Sequence, residues 1–313
     1  MLKVSVVIPV FNGERFIGDA IQSALNQNFK DFEIIVVDDG STDGTAKIVG
    51  QFSDRLSYYN QKNQGAGVAR NLGVFYAQGE WVAFLDADDV WYPDKLAIQV
   101  RLTDAYPEVS LFYSDMDAIN EGDQSLQKGF LSAKLQRRKE KKRQNLSTII
   151  FNDRPCPYPS TVLVKRNVFL KAGGFNPLFV RSNHEDFELF ARIARISSIH
   201  FIPQSLVQYR IHETQGIQDP SSWWGNWPIL LNSLWEMWRD EPENQVLLLF
   251  YYAKYFSDQG KHLFESGDYQ KAREYFRLAF AYQPFYWRNF SRWILSLLPG
   301  IREFYISRKS KVP

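Results

Sequence analysis

Short apolar runs alternate with amphipathic stretches along the first hundred residues. Val4–Val10 and Glu33–Val37 are almost continuously apolar, which favours strands that are buried on both faces. Between them, Glu14–Asn26 has its apolar residues at helical spacing. The same patterns predict further strands at 56–60, 80–85, 110–114, 160–165 and 200–209. We therefore expect an α/β fold: a mostly parallel, Rossmann-like sheet flanked by helices, with a ligand crevice at the carboxyl ends of its strands.

The pattern becomes purely helical after Pro220, which predicts two domains, at 1–219 and 220–313. Within the helical region, about 251–284 resembles one tetratricopeptide repeat, in which Ala272 and Ala279 would let paired helices approach closely. The repeat positions are Phe256, Gly260, Leu263, Gly267, Tyr269, Ala272, Phe276, Ala279 and Pro284. A repeat of this kind either presents a surface to a protein partner or covers a hydrophobic patch of its own chain.

Composition excludes several classes of protein. The net charge of the 313 residues is only +2, which argues against nucleic acid as a partner. A single cysteine, Cys156, rules out an intrachain disulfide and fits a reducing compartment. No stretch reaches the ~18–20 apolar residues of a membrane span, and Met1 leads directly into the first strand without a signal peptide. We therefore expect a cytoplasmic protein.

Two acidic turns follow predicted buried strands. The first contains Asp38 and Asp39, and the second contains Asp86, Asp88 and Asp89. Carboxylates that are crowded at one edge of a sheet repel one another unless a cation or a hydrogen-bond donor joins them. The Asp-x-Asp spacing of the second turn suits Mg²⁺ or Mn²⁺ beside a substrate diphosphate, since these hard cations prefer oxygen ligands.

Five segments, in this order and spacing, resemble glycosyltransferase family 2: residues 4–12, 36–43, 65–71, 84–89 and 184–189. The resemblance covers about residues 3–215 and leaves the helical region outside it. It implies the GT-A fold, a nucleotide-sugar donor, a divalent metal ion and inversion at the anomeric carbon. The family's habit and the acceptor chemistry of Asp39 favour a UDP-sugar.

The resemblance implies a nucleotide-sugar site made of Pro9, Phe11, Asn12, Asp39, Arg70, Asp86, Ala87, Asp88 and Asp89. Phe11 offers a flat face to a pyrimidine base, and Asp39 can accept the base N–H. Each has a structural alternative, because Phe11 can staple the following helix and Asp39 suits a turn. Arg70 either reaches a phosphate or forms a surface ion pair.

The metal and catalytic residues are also implied by the resemblance. Asp88 would be the principal metal ligand, with Asp86 and His212 beside it, although a histidine in a surface loop is common. Asp186 would be the general base and Glu185 would orient it or contact the acceptor. Both acids also suit a helix N-terminus by their charge, and the two roles are compatible.

The acceptor side is less defined. Ser160 and Thr161 are expected to line it. The basic segment 134–143 fits a solvated loop or outer helix face, and alternatively an acidic acceptor or an anionic membrane surface. The aromatic and arginine-rich stretch 285–308 fits a helix that caps the repeat, or a peripheral contact with the inner face of the cell membrane.

Together with these residues, the resemblance implies a metal-dependent inverting glycosyltransferase that acts on a glycan or lipid-linked acceptor in cell-surface polysaccharide or glycan biosynthesis. The alternative is a catalytically retired nucleotide-sugar-binding or scaffold protein that acts through its helical tail. A nucleotidyltransferase would need a glycine-rich basic loop after its first strand, and Pro9–Gly13 is not one.

Overall fold

A computed structural model describes residues 2–140, 150–151, 154–179, 184–213 and 226–283. The chain divides into two compact units, residues 1–218 and 219–313, and each is described by itself.

The first unit is an α/β structure. Its strands are β1 Val4–Val10, β2 Phe32–Asp38, β3 Ser57–Asn60, β4 Trp81–Phe84, β5 Val90–Trp91, β6 Val109–Ile119, β7 Ser125–Gln127, β8 Val162–Lys165 and β9 Ser198–Arg210. Its helices are α1 Ile17–Leu25, α2 Thr45–Val49, α3 Ala66–Tyr76, α4 Lys95–Ala105, α5 Phe130–Glu140, α6 Arg166–Lys171 and α7 Glu185–Ile196. Short 3₁₀ turns lie at Gly50–Phe52 and Pro159–Thr161.

The strands form one sheet in the order β3-β2-β1-β4-β8-β6-β9-β5, with β7 paired to β6. The predicted parallel arrangement holds from β3 to β4, where the chain alternates strand and helix. Beyond β4 the sheet is mixed, because β8 runs antiparallel to both β4 and β6, while β6 and β9 are parallel. The two acidic turns, which follow β2 and β4, therefore lie at the same edge of the sheet, where the carboxyl ends of β1, β2 and β4 are found.

The sheet has a hydrophobic core on each face. Successive side chains of a strand point to opposite faces, so Ile8 packs with Ile17 of α1 and Leu96 of α4 on one face. Val7 packs with Val74 of α3 and with α7 on the other. Burial on both faces explains why β1 is apolar at every position except Ser5, whose hydroxyl donates to Glu33.

The sequence missed β5 and β7 because two and three residues are too short to show a period of two. It left residues 134–143 open between loop and helix, and the described part of this segment belongs to α5. Residues 141–143 and the stretch 285–308 lie outside the described residues.

The second unit contains α8 Trp227–Met237, α9 Pro242–Ser266 and α10 Tyr269–Tyr282. α9 ends at Gly267, whose φ of 94° is favourable for glycine. A Cβ at Gly260 would lie 2.8 Å from the ring of Phe276, so these two helices approach closely at this glycine. Ala272 and Ala279 are fully buried. A close helix pair therefore exists where the sequence predicts it, and its assignment as a tetratricopeptide repeat stays a prediction.

Within the described ranges, no helix combines the length and the apolar character needed to cross a membrane.

The contact between α3 and β1 generates a stability prediction. A methyl group at Gly73 would overlap the side chain of Val7, so Gly73→Ala should lower the free energy of unfolding by about 1–3 kcal/mol through overpacking. Gly50 is the control, because it has a helical φ of −58° and no atom within 4 Å of an added Cβ. Gly50→Ala should be neutral or stabilise by about 0.4–1 kcal/mol. Urea denaturation of both variants tests this, and equal midpoints would contradict the packing argument.

Candidate active site

The first wall of the site lies at the end of β1. Phe11 is 47% exposed, so its ring is available as a flat surface beside the sheet edge. Asn12 adopts a left-handed backbone with φ 50°, donates its N–H to Ser41 Oγ at 2.9 Å and accepts from Thr42 N at 2.8 Å. Asn12 thus ties the end of β1 to the turn after β2 and leaves Phe11 uncovered.

Asp39, after β2, is buried and holds a loop. Its Oδ1 accepts from Gln61 Nε2 at 2.7 Å and from Gln64 N at 2.8 Å, and its Oδ2 accepts from Gly65 N at 2.7 Å. A carboxylate has about four lone-pair positions, so one remains for a base N–H. The structure thus adds a loop-anchoring role to the base contact that the sequence predicts.

The second acidic turn follows β4 and sends its first two carboxylates to different partners. Asp86 Oδ1 accepts from Arg70 Nη2 at 2.6 Å. Asp88 Oδ2 lies 2.9 Å from His212 Nε2. The side chains of Asp86 and Asp88 are partly exposed, at 29% and 28%. The structure therefore places His212 against Asp88, whereas Asp86 pairs with Arg70, and Ala87 lies between the aspartates as a small, partly buried residue.

Asp89 is the buried member of this turn. Its Oδ2 accepts from Ser160 Oγ at 2.5 Å and its Oδ1 accepts from Arg210 N at 3.1 Å. Burial, followed by the nearby charges of Asp88 and Asp86, raises the pKa of Asp89 well above its usual value. Asp89 thus links the turn to two distant segments of the chain, and its contact with the nucleotide sugar stays a prediction.

Ser160 and Thr161 do not line an acceptor surface, and this corrects the sequence prediction. Both are fully buried. Ser160 Oγ accepts from Asp86 N at 3.0 Å while it donates to Asp89. Thr161 Oγ1 donates to the carbonyl of Tyr158, the residue directly before the 3₁₀ turn, at 2.7 Å. These hydroxyls are used inside the protein, so Ser160 supports the acidic turn from behind.

Arg210 was missed by the sequence reasoning. It is 1% exposed, donates from Nε to Asp88 O at 2.9 Å and from Nη1 to Asp123 Oδ1 at 2.6 Å, and lies 4.7 Å from the ring centroid of Phe16. Its position two residues before His212, on the same strand end, was the available signal. Arg210 donates to the backbone carbonyl of Asp88, and His212 contacts the carboxylate of the same residue.

Arg70 connects the acidic turn to the start of α7. It is buried, at 5% exposed, so the predicted surface ion pair is a buried one. Its Nη1 lies 3.6 Å from Glu185 Oε1 while its Nη2 binds Asp86. Glu185 Oε2 is buried and has no hydrogen-bond partner in the described part of the chain. One guanidinium thus serves two acids that lie on separate elements.

Asp186 follows Glu185 in the first turn of α7, where carboxylates are favoured by the helix dipole. Its Oδ1 accepts from Phe187 N at 2.6 Å. Burial raises the pKa of Asp186, and burial together with the charge of Asp186 raises the pKa of Glu185. A carboxylate with a raised pKa is suited to accept a proton near neutral pH.

Comparison with known proteins gives the chain's relatives. The sequence profile described as "Glycosyl transferase family 2" matches residues 5–171. An uncharacterized glycosyltransferase of Rickettsia typhi is 32% identical over 213 residues, which are 68% of this chain and 65% of that protein. The matched region of this chain therefore spans just under two thirds of that relative, and 35% of one from Rickettsia conorii. Bacillus subtilis TuaG, provisionally named for teichuronic acid biosynthesis, is 46% identical over 102 residues, 31% of this chain and 40% of its own.

Among solved structures, Staphylococcus aureus TarS 1–349 in complex with UDP-GlcNAc has a TM-score of 0.67 and 18% identity, covering 97% of this chain and 92% of TarS 1–349. At this identity the likeness carries the fold alone. It confirms the predicted GT-A-like class, a sheet flanked by helices and followed by a helical region.

The two buried ion pairs of Arg70 generate a prediction. Arg70→Met leaves Asp86 and Glu185 without their shared cation, so it should lower the free energy of unfolding by about 3–5 kcal/mol. Arg15→Met is the matched control, because Arg15 pairs with Glu121 at 2.5 Å but is 59% exposed, and such pairs contribute about 0–1 kcal/mol. Chemical denaturation of both variants measures the difference. Similar losses would show that the Arg70 pairs are not a major source of stability.

Proposed function

The chain belongs to glycosyl transferase family 2, and from this premise we propose that it transfers a sugar from a UDP-sugar to an acceptor hydroxyl, with inversion at the anomeric carbon. The observation that carries the proposal is Arg70, which joins Asp86 of the donor-side turn to Glu185, the neighbour of the base Asp186. Donor-side and acceptor-side acids are thus held in one cluster, as a direct displacement requires.

The proposed donor pocket lies between β1 and β2. Phe11 would stack on the pyrimidine ring, and Asp39 would accept the base N–H with its remaining lone pair. Pro9 and Asn12 would set the course of the chain around the base. UDP as the nucleotide is supported by the UDP-GlcNAc complex of TarS, a protein of similar fold.

A divalent ion fits this site only together with the donor. In the described part of the chain, no group of three or more histidine, cysteine or acidic side chains is arranged to hold a metal. Asp88 and His212 face each other at 2.9 Å, and Asp86 keeps one oxygen that Arg70 does not bind. Mg²⁺ and Mn²⁺ suit such a sparse set, because they usually take their remaining ligands from water and substrate phosphates. When bound, the ion would neutralise charge on the departing diphosphate.

The proposed reaction is a single displacement. The acceptor hydroxyl oxygen attacks the anomeric carbon while the bond from this carbon to the diphosphate oxygen breaks. The nucleoside diphosphate leaves with the electron pair, and Asp186 takes the hydroxyl proton. Glu185, held by Arg70, would orient the acceptor with its second oxygen.

The acceptor and the pathway are proposed from a relative and from the chemistry of the reaction. The partial likeness to TuaG supports a role in cell-surface polysaccharide biosynthesis. A glycan or lipid-linked acceptor would fit a cytoplasmic enzyme that works at the inner face of the membrane. The pair α9 and α10 would serve a protein partner if it acts as a tetratricopeptide repeat.

A thermal-shift experiment tests the donor site. Wild-type protein with UDP, GDP, CDP or TDP, each with and without Mn²⁺, should show a metal-dependent shift for UDP. Ligand at ~100 times its dissociation constant adds about 2.7 kcal/mol to stability. Asp88→Asn should lose the shift, and Asp104→Asn, whose side chain is 78% exposed, should keep it. No shift with any nucleotide would favour the scaffold function and reject the transferase.

The raised pKa of Asp186 predicts the pH dependence of the reaction. Burial raises its pKa to about 6, and the base acts only when it is deprotonated, so kcat/KM should fall as the pH drops through about 6. An aspartate with an ordinary pKa would place this fall at about pH 3.9. Asp186→Asn should lower kcat by at least ~10²-fold. UDP affinity is measured over the same pH range, in order to separate proton uptake by Asp186 from loss of donor binding. A kcat/KM that stays constant down to pH 5 would exclude Asp186 as the base.

A further inference from the structure

The start of α5 is fixed to the end of β6 by two aspartates. Asp115 is 1% exposed, and accepts from Leu131 N at 2.9 Å and from Ser132 N at 3.2 Å. Asp117 accepts from Gly129 N at 2.9 Å. These bonds satisfy N–H groups at the helix N-terminus that have no partner inside the helix. α5 therefore presents its first turns in a defined position.

Lys134, one turn into α5, is a partly buried cation among aromatic rings. Its Nζ donates to Tyr158 Oη at 3.0 Å, and lies 5.5 Å from the ring centroid of Tyr158 and 5.8 Å from that of Phe130. No carboxylate among the described side chains lies within ion-pair distance of it. Its described contacts are a hydroxyl and two ring faces, which do not neutralise the ammonium, so its charge is available to an anionic ligand.

The rings around Lys134 adjoin the donor side of the site. Tyr158 packs edge-on against Tyr209 at 5.8 Å, and Phe130 lies 5.9 Å from Tyr209. Ser160, two residues after Tyr158, and Arg210, directly after Tyr209, both donate to Asp89. We call Phe130, Tyr158 and Tyr209 the aromatic group. It lies between α5 and the turn that carries Asp86 and Asp88.

We propose that Lys134 and the aromatic group form an acceptor subsite for an anionic sugar chain, with the negative group at Lys134 and a sugar ring against the aromatic group. This inference rests on the proposed transferase function.

Charge complementarity supports the choice of an anionic acceptor. The turn after β4 carries three carboxylates; Asp86 accepts from Arg70 at 2.6 Å, and Asp88 lies 2.9 Å from the imidazole of His212. An anionic chain would be repelled there unless a cation receives it. Lys134 supplies that cation, and a charge-assisted hydrogen bond to carboxylate or phosphate is about twice as strong as a neutral one. The shared chemistry is a negative charge on a saccharide, from either a uronate carboxylate or a phosphodiester.

Binding of defined probes tests the subsite. Trigalacturonate, a short glycerol phosphate oligomer and neutral maltotriose are titrated by calorimetry into the full chain with saturating UDP and Mn²⁺. We expect at least one anionic probe to bind roughly tenfold more tightly than maltotriose, as the loss of a single charged hydrogen bond implies. The probe that binds identifies carboxylate or phosphate as the group received.

Variants make the test specific to Lys134. Lys134→Gln should abolish the preference for the anionic probe, and Lys134→Arg should retain it. Lys165→Gln is the matched control, because Lys165 also lies over a ring, 5.9 Å from the centroid of Trp81, but at the opposite end of β4.

A preference for the anionic probe that survives in Lys134→Gln, or no such preference in the wild type, overturns the subsite. Binding of UDP without any charge preference overturns the subsite alone, whereas absence of UDP binding overturns the transferase function and the subsite with it.

Discussion

The crowding of acids at one edge of the sheet is the constraint on which the rest of the site depends. Three carboxylates lie among residues 86–89, after β4, and two more lie at the start of α7. Two charges 4 Å apart interact with about 4 kcal/mol at an effective dielectric constant of 20. Such a cluster folds only if its members receive donors or cations, and each described member has one, with Arg70 shared between Asp86 and Glu185. Arg70 is the central group because it contacts both acidic segments, at Asp86 and at Glu185.

The partners of these acids come from elements that are far apart in sequence. Ser160 bonds Asp89 across 71 residues, and Arg210 reaches the carbonyl of Asp88 across 122. The mixed part of the sheet makes this possible, because β8 follows the 3₁₀ turn of Ser160 and pairs with β4. The strands β8 and β9 of this mixed part are thus part of the site, since the groups that hold the acidic turn lie at their ends.

The sequence predicted the features that depend on neighbouring residues, and it missed the side-chain contacts between segments that only the fold brings together. The buried strands, the two acidic turns and the acids at the start of α7 all have signals within a few residues, so they were predicted. The partners of Arg210 lie far away in the sequence, at Asp88 and Asp123, so its closeness to His212 was a signal for its position but not for its contacts. Ser160 and Thr161 were placed on the acceptor side by their hydroxyls, and burial gave those hydroxyls internal partners instead.

The distribution of partners separates the roles of the three aspartates. Asp89 is buried and bonded at both oxygens, so it serves as a support. Asp86 is engaged at one oxygen by Arg70, and Asp88 meets the imidazole of His212. An imidazole can give up a proton and become a ligand to a metal, whereas a guanidinium cannot. Asp88 is therefore the aspartate of the turn whose partner, His212, could itself become a metal ligand when a donor binds. The bonds of Asp89 and Arg210 would hold Asp88 in position for this change of ligand.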